Sequence, residues 1–423
     1  MALLAAMPVM AIADGALGQE LIALAAAIML LLAAAAAPQS EITNTFRLLK
    51  RISVAILLPA AWMLLQIAPI PFASLVNPIW PTASAALNEP SLLGHLSLDP
   101  ASTLRCLMLY LTIVALVVAT IIITQDRQNA ETTLFVLCTV TAVMSVELLL
   151  SRHGSLVGNV EAAATCVAAS IAGTLLNAAA ITLLIERHLS RRDREASPFG
   201  PLLPGFGLCV AAATLCAAAN LSVAPGDAVV ATGFGLMFIL IIALVRRFAV
   251  QSWSLGVLLA IVGSLALGIA VVRFQRNTSA TILAFSSSGP PESLAIAVRA
   301  IPDFKWFGSG VGTYSAVAEI YRDYGTAPVP DPPSTMAAIA LEWGQPALAI
   351  VAGIAVQLFV FVFRGALRRG RDYFFSAVAA ATLVGVFYEA LSDASLTHFP
   401  VQVIIAVIMG LGISQSIGRT SGP

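Results

Sequence analysis

The sequence predicts an all-α polytopic membrane protein, and three observations support this fold class. Hydrophobic residues make up 59% of the 423-residue chain and charged residues only 10%. The mean hydropathy is +0.93, and a soluble fold has too little interior to bury so much apolar surface. The apolar runs are roughly 17–25 residues long, which suits helices that cross a bilayer rather than the shorter alternating strands of a barrel. Because backbone groups must be paired within hydrocarbon, these runs are predicted to be helices.

About eleven apolar runs follow one another and divide the chain into three parts. The predicted spans are 17–37, 52–73, 104–124, 133–150, 161–185, 202–221, 228–245, 253–272, 337–363, 373–391 and 401–417. Prolines stand beside several of the ends, as expected because proline starts or stops a helix. We therefore expect about eight amino-terminal spans in 1–273, a large extracytoplasmic loop over 274–336, and about three carboxyl-terminal spans in 337–423.

Positive residues are distributed unevenly among the predicted connections. The odd-numbered connections hold Arg47, Lys50, Arg51, Arg127, Arg187, Arg191, Arg192, Arg194, Arg246, Arg247, Arg364, Arg368, Arg369 and Arg371. The short even-numbered connections hold only Arg105 and Arg152, at helix ends. Lysine and arginine are enriched in cytoplasmic loops, so the N-terminus is predicted to lie outside and the C-terminus inside. Two long segments, about 69–103 and 274–336, are then both outside.

Acidic side chains in or beside the spans are candidate functional residues, because a carboxyl group in hydrocarbon is costly. Four residues meet this description: Glu147, Glu342, Glu389 and Asp393. Pairing with a nearby arginine would explain them equally well. His398, near the outer end of the last span, is a candidate general base because imidazole titrates close to neutral pH.

Other patterns exclude several classes of function. The formal net charge is zero, which gives no indication of nucleic-acid binding, and the five cysteines stand in or beside apolar runs without a Cys-x-x-Cys pair. The sequence therefore predicts neither a disulfide nor a metal site. Gly308, Gly310 and Gly312 lack the spacing and the strand–helix context of a nucleotide-binding loop. They predict a tight turn, in which the backbone approaches either a ligand or another part of the chain.

The run 301–314 resembles the loop signature of the O-antigen ligase and polymerase superfamily, in which a proline precedes alternating glycines and a Thr-Phe or Thr-Tyr pair. The segment 340–344 is similar to the Glu-x-Gly motif that opens that family's next helix. Residues 393–396 and 415–416 are similar to its closing Asp-x-Ser-Leu and Gln-Ser elements. The order of the motifs, the long outside loop and the number of spans agree with this resemblance.

The resemblance implies an inverting glycosyltransferase of a bacterial inner membrane that uses neither a metal nor another cofactor. It would transfer a glycan from a polyprenyl diphosphate to the hydroxyl of an acceptor sugar at the outer, periplasmic face. Cationic groups would hold the departing diphosphate, and the candidates are Arg152, Arg299 and Arg322. A base would act on the acceptor hydroxyl, and the candidates are Asp331, Glu342 and His398. The glycines at 308, 310 and 312 would form the turn of the active-site loop.

Two alternatives remain open at this point. Pro333 stands where the family has a histidine, which motivates a non-catalytic protein that binds a lipid-linked glycan or assembles with other membrane proteins. A transporter is the second alternative, although the sequence has no internal repeat and no matched pair of broken helices.

Overall fold

The computed structural model describes residues 2–12, 15–72, 75–89, 93–151, 160–192, 203–223, 226–247, 290–323, 331–368 and 372–416. These residues form α-helices joined by short connections. In chain order the helices are α1 (Ala2–Ala5), α2 (Met7–Ile12), α3 (Ala16–Ala36), α4 (Gln39–Ile67), α5 (Ile79–Leu87), α6 (Pro100–Ile123), α7 (Arg127–Ser151), α8 (Val160–Arg192), α9 (Leu203–Val223), α10 (Asp227–Arg247), α11 (Pro291–Ala300), α12 (Tyr314–Tyr321), α13 (Thr335–Glu342), α14 (Gln345–Arg368), α15 (Tyr373–Ser392) and α16 (Phe399–Ser414). Pro69 and His95 form an isolated antiparallel bridge, and no strand occurs within these ranges.

Nine of the helices in the described ranges are long and apolar enough to cross a membrane. On α3 and α4, large apolar side chains such as Leu31 and Leu57 are 70% and 65% exposed, a feature of helices that face lipid. The chain is therefore an all-α polytopic membrane protein, as its composition predicts. The predicted span 253–272 lies outside the described residues. The last predicted span is the shorter helix α16, which is apolar and almost wholly buried.

The membrane helices pack around α8, α15 and α16. The apolar part of α8 is the most buried of the candidate spans, and α8 contacts α7, α9, α10, α15 and α16. The short helices α1 and α2 also enter this core, with Leu4 and Met7 only 5% and 0% exposed. They therefore belong to the folded bundle, whereas the sequence predicts only a lead-in to the first span.

Helix α4 is longer at its start than the predicted span 52–73. It begins after Pro38, whose extended backbone precedes the first turn. The predicted loop residues Arg47, Lys50 and Arg51 thus lie on the helix itself. Basic residues are good helix formers, so a helix can extend beyond its apolar section without losing regular hydrogen bonds.

The ninth predicted span is two helices rather than one. Helix α13 is capped by Ser334, whose hydroxyl accepts a hydrogen bond from the amide of Ala337 at 3.2 Å, and it ends at Glu342. Gly344 then has φ +85°, a left-handed conformation that stops a helix and favours glycine, and α14 starts at Gln345. Glu342 is therefore at a helix junction, outside the membrane-spanning helix in which the sequence predicts it.

One end of the bundle, which we call the basic end, holds the helix ends that carry the positive residues. The side chain of Gln125 at the end of α6 donates to the hydroxyl of Thr45 near the start of α4, at 2.7 Å. Arg246 near the end of α10 donates to the carbonyl of Ala366 at 2.9 Å, and its guanidinium lies 4.0 Å from the ring centroid of Tyr373. These contacts bring together the connections that the charge pattern groups on one side.

Candidate functional site

The two long segments predicted to lie outside form one structure at the opposite end of the bundle. We call it the cap, and it comprises the described parts of 68–99 and 290–323 together with α13. The amide of Leu98 donates to the carbonyl of Ser309 at 2.7 Å, which joins the two segments directly. Helices α11, α12 and α13 share a small apolar core that includes Ile296, Val317 and Leu341. The end of the bundle that carries the cap is the cap end.

The glycine-rich turn is pressed against the rest of the protein. Gly308, Gly310 and Gly312 have φ values of +75°, +112° and +82°. A Cβ atom added at these positions would overlap the main chain of Glu342, the side chain of Ser97 and the thiol of Cys106, respectively. The turn therefore needs glycine for its φ angles and for close approach to α13, to the first cap segment and to α6. This favours the second of the two interpretations of the glycines, approach to another part of the chain.

The end of α4 holds this turn in place through Gln66, which is 1% exposed. Its Nε2 group donates to the carbonyl of Phe307 at 2.7 Å and to that of Glu342 at 2.9 Å. Its Oε1 atom accepts from the amide of Val311 at 3.2 Å. One glutamine thus satisfies main-chain groups on both sides of the turn and at the end of α13.

Aromatic side chains surround the same contact. The indole of Trp62, one turn before Gln66 on α4, donates to the carbonyl of Trp343 at 3.0 Å. The ring of Trp62 stacks with that of Phe307 at a centroid distance of 6.2 Å, and Trp306 beside it is 66% exposed. Partly exposed aromatic rings offer apolar faces beside polar edges. The aromatic side chains around the turn can therefore contact a ligand that has both apolar and polar parts.

Glu342 lies at the centre of this arrangement and is partly buried. Burial raises the pKa of its carboxyl group to about 7, and hydrogen bonds from the amides of Gly312 and Tyr314 oppose the rise. The bond from the Tyr314 amide to Oε1 is 3.0 Å long. A carboxyl group with a pKa near neutral can accept a proton in one step and release it in the next. Of the predicted base candidates, Glu342 is the one that contacts the glycine turn.

Asp331 lies on the side of the cap formed by α12. Its side chain is exposed, and its carbonyl accepts a hydrogen bond from the hydroxyl of Tyr314 at 3.4 Å. Since the amide of Tyr314 contacts Glu342, a single residue connects the two acids. The carboxyl groups themselves do not share a hydrogen bond.

The predicted diphosphate ligands are separate from Glu342. Arg299 on α11 forms a two-point ion pair with Asp323, at 2.9 and 2.8 Å, and both side chains are exposed. The bond to Arg299 lowers the pKa of Asp323. Arg322 is the neighbour of Asp323 and is partly buried, so the two arginines lie at one corner of the cap. Arg152 lies outside the described residues.

His398 belongs to a second group of polar residues at the cap end. It precedes α16 and follows Asp393, whose Oδ1 atom accepts from the hydroxyl of Ser395 at 2.6 Å. Burial raises the pKa of Asp393, the Ser395 hydrogen bonds and the charge of His398 oppose this, and Asp227 adds to it. The carbonyl of Asp393 accepts from the amide of Thr335 at 2.8 Å, at the first residue of α13.

Glu342 and His398 are therefore at opposite ends of α13. An eight-residue helix separates its first and last residues by roughly 10 Å, so the structure does not bring these two base candidates into direct contact. Among the described residues no group of three or more His, Cys, Asp and Glu side chains has the arrangement of a metal site.

Gln66 and Tyr314 contact the candidate site, although neither is among the residues predicted from the sequence, and Tyr314 enters only as part of the motif in 301–314. Gln66 has a detectable signal, since it is a polar residue within an apolar helix and such residues need partners. Tyr314 follows the glycine turn, but its amide contacts a residue 28 positions away, Glu342, and no local pattern predicts a contact over that distance in sequence. In comparisons with known proteins, no protein-family model matches the chain, and no curated protein matches it.

Proposed function

We propose that this chain is a multi-pass glycosyltransferase of the surface-polysaccharide ligase or polymerase type. It would transfer a glycan from a polyprenyl diphosphate to an acceptor sugar at the outer face of a bacterial inner membrane. In this proposal the cap and the N-terminus are periplasmic and the C-terminus is cytoplasmic. The positive residues at the basic end support that orientation.

The proposal includes about eleven spans. Helix α10 ends at the basic end and α11 begins in the cap, and these two positions support one further crossing in the proposed topology. The apolar run 253–272 has the length for this crossing. It would place the cap as a large extracytoplasmic segment between the crossing and α14.

The observation that carries the proposed activity is the position of Glu342. Its carboxyl group lies in the cap, outside the spanning helices, with a pKa of about 7, and a glycine turn holds it in place. As general base it would remove the proton from an acceptor hydroxyl while that oxygen bonds to the sugar carbon. The bond from that carbon to the diphosphate breaks in the same step, and the diphosphate leaves with the bonding electrons.

The arginine corner of the cap would bind the diphosphate. Arg299 presents a planar guanidinium to the two carboxylate oxygens of Asp323, a geometry that a phosphate group also fits. The diphosphate would displace Asp323, with Arg322 as the neighbouring cation. The ion pair is exposed on both sides, so solvent screening makes it easy to replace.

A second candidate is a non-catalytic protein that binds a lipid-linked glycan or assembles with other membrane proteins. The contacts of Glu342 favour it, because the carboxylate accepts hydrogen bonds from two amides of the turn. Such bonds would hold the loop in shape even without any reaction. In this case the aromatic surface around Trp62 and Trp306 would be the binding surface, and Glu342 a structural residue.

Deletion of the gene followed by rescue with single variants tests these proposals. Loss of a surface polysaccharide on deletion is expected, and Glu342→Gln should restore about 100-fold less polymer than wild type, the range of a lost general base. Arg299→Ala should also rescue poorly. Glu319→Gln is the matched control, because Glu319 is an exposed acid of the same cap, and it should rescue fully.

The outcomes separate the two candidates when the variant proteins accumulate to wild-type levels in the membrane. An unchanged polysaccharide on deletion would overturn the enzymatic proposal. Loss on deletion with full rescue by Glu342→Gln, Arg299→Ala, Arg322→Ala and Asp331→Ala would overturn the site and favour the non-catalytic candidate.

A further inference from the structure

A cavity inside the helix bundle lies apart from the glycine turn, between α8, α15 and α16. Its walls are mainly apolar and include Ala168, Ala172, Val401 and Ile404. The cavity volume is about 10 Å³, which is about the space that one water molecule needs. A sugar or an alkyl chain does not fit into it.

Two residues of α15 that line this apolar cavity each have a buried polar atom without a hydrogen-bond partner in the described part of the chain. The atoms are Oε1 of Glu389 and Oγ1 of Thr382, in side chains that are only 4% and 2% exposed. The residues are seven positions apart and so lie on the same face of the helix. A threonine within a helix commonly donates to the carbonyl four residues earlier, but Thr382 does not.

Buried polar atoms without a partner are rare in native proteins and indicate a missing water, ion or functional role. A carboxylate in apolar surroundings is far more costly than a neutral carboxylic acid. Glu389 therefore needs a proton or a cation when water is excluded. The small cavity limits the occupants to water, a proton or a bare monovalent cation.

Glu389 lies beside a titratable group at the cap end. It is in the last turn of α15, and its main-chain carbonyl accepts a hydrogen bond from the amide of Asp393 at 2.9 Å. The carboxyl group of Asp393 also interacts electrostatically with that of Glu389. Among the described residues, Asp227 of α10 and His398 before α16 are the charged or titratable groups of neighbouring elements that interact with Asp393, whereas α8 and α16 contribute apolar side chains to the cavity.

We propose that Glu389 is a proton-binding group in a hydrated cavity, and that it exchanges its proton with the solvent at the cap end through Asp393. A water molecule in the cavity donates a hydrogen bond to the carboxyl group of Glu389. This site is distinct from the proposed glycosyl-transfer site, and α13 connects the two because its first residue contacts Asp393. When the proton binds or leaves, only the O–H bond of the carboxyl group forms or breaks.

Labelling of the full-length protein in lipid nanodiscs with dicyclohexylcarbodiimide tests the proposal. This apolar reagent modifies protonated carboxyl groups, and site-resolved mass spectrometry identifies the modified residue. We expect an adduct on Glu389 that decreases by about tenfold for each pH unit above its midpoint, as a single proton requires. This adduct should be absent from the variant Glu389→Gln. It should still form on Glu389 in the control variant Glu147→Gln, because Glu147 lies on α7 and does not line the cavity.

Hydration and the identity of the occupant have separate measurements. Radiolytic hydroxyl labelling of wild type should modify cavity residues such as Val386, and Thr382→Val should reduce this labelling. No carbodiimide adduct on Glu389, or an adduct independent of pH, would overturn the proposal. Suppression of the adduct by sodium chloride, but not by choline chloride at the same pH, would also overturn it and assign the site to a cation.

Discussion

Gly310 has a backbone conformation and a close neighbour that would both strain any other residue. Its φ of +112° lies in a region that costs other residues about 1–3 kcal/mol, and a Cβ would also overlap Ser97. Gly310→Ala should therefore lower the thermal unfolding midpoint of the protein in detergent. Gly353→Ala on α14 is the matched control, since an added Cβ there meets no atom within 4 Å. An equal effect of both changes would contradict the role of the turn.

Glu342 makes stability depend on pH. Its folded pKa of about 7 is above its usual value of 4.5, so between these values the folded protein binds more protons than the unfolded chain. The free energy of unfolding should then fall by up to about 3 kcal/mol as pH rises from about 4.5 to about 7. Unfolding midpoints across this interval measure the effect.

Comparison with Glu342→Gln isolates this contribution. The amide oxygen of glutamine can still accept from Tyr314, but it does not titrate. The pH dependence of the variant should be smaller than that of wild type, while the contribution of Asp393, whose raised pKa acts in the same direction, remains in both proteins. Parallel curves for the two proteins would show that Glu342 is not the titrating group.

At the scale of elements, the end of α4 determines the position of the glycine turn. Gln66→Leu keeps the apolar part of the side chain but leaves the carbonyl of Phe307 and the amide of Val311 without a partner, and each such group costs about 1–3 kcal/mol if water cannot reach it. The carbonyl of Glu342 keeps its hydrogen bond from the amide of Gly310 at 3.0 Å. The amide of Val311, which donates to Gln66, should exchange hydrogen faster in the variant. Mass spectrometry of peptides that cover 307–312 measures this exchange.

Gln357→Leu is the matched control for this prediction. Gln357 is exposed on α14, and its bond to the carbonyl of Arg51 is 3.5 Å long, at the limit of hydrogen bonding. Exchange in 307–312 should be unchanged by this substitution. If Gln66→Leu also leaves the exchange unchanged, the turn is held by the contacts of its glycines alone.

Helix α13 is the element that sequence patterns describe least well. Its residues Ala337, Ala338 and Ala340 continue the apolar run of α14, so hydropathy predicts a single span over 337–363. The break comes at Gly344, which has a left-handed conformation and is followed by Pro346 near the start of α14, a local pattern that ends one helix and begins another. A Cβ at Gly344 would also overlap the main chain of Trp306, and this tertiary contact leaves no trace in hydropathy. Glu342 is consequently at a junction in the cap instead of inside a span.

For the whole molecule, the fold class and the grouping of connections could be predicted, because both depend on properties summed over many residues. Hydropathy over a span and positive charge over a loop tolerate errors at single positions. The candidate site depends on single contacts between distant residues, such as Gln66 with Val311 and Asp393 with Thr335. Residue type makes Glu342 and His398 candidates, and the family resemblance adds Arg299. Where these residues lie relative to one another depends on α13 and on the ion pair of Arg299 with Asp323.

Orientation in the membrane is a property of the whole molecule, and it has a direct test. The test uses spheroplasts whose inner membrane is intact. If the basic end faces the cytoplasm, the cap variant Glu319→Cys should react with a maleimide that does not cross this membrane. Lys50 is exposed near the basic end, and the variant Lys50→Cys should react only after the inner membrane has been permeabilised. Wild type is the control for the five native cysteines, of which Cys106 is partly buried and the others are buried. The reverse pattern would contradict the orientation and place the cap, with Glu342, on the cytoplasmic side.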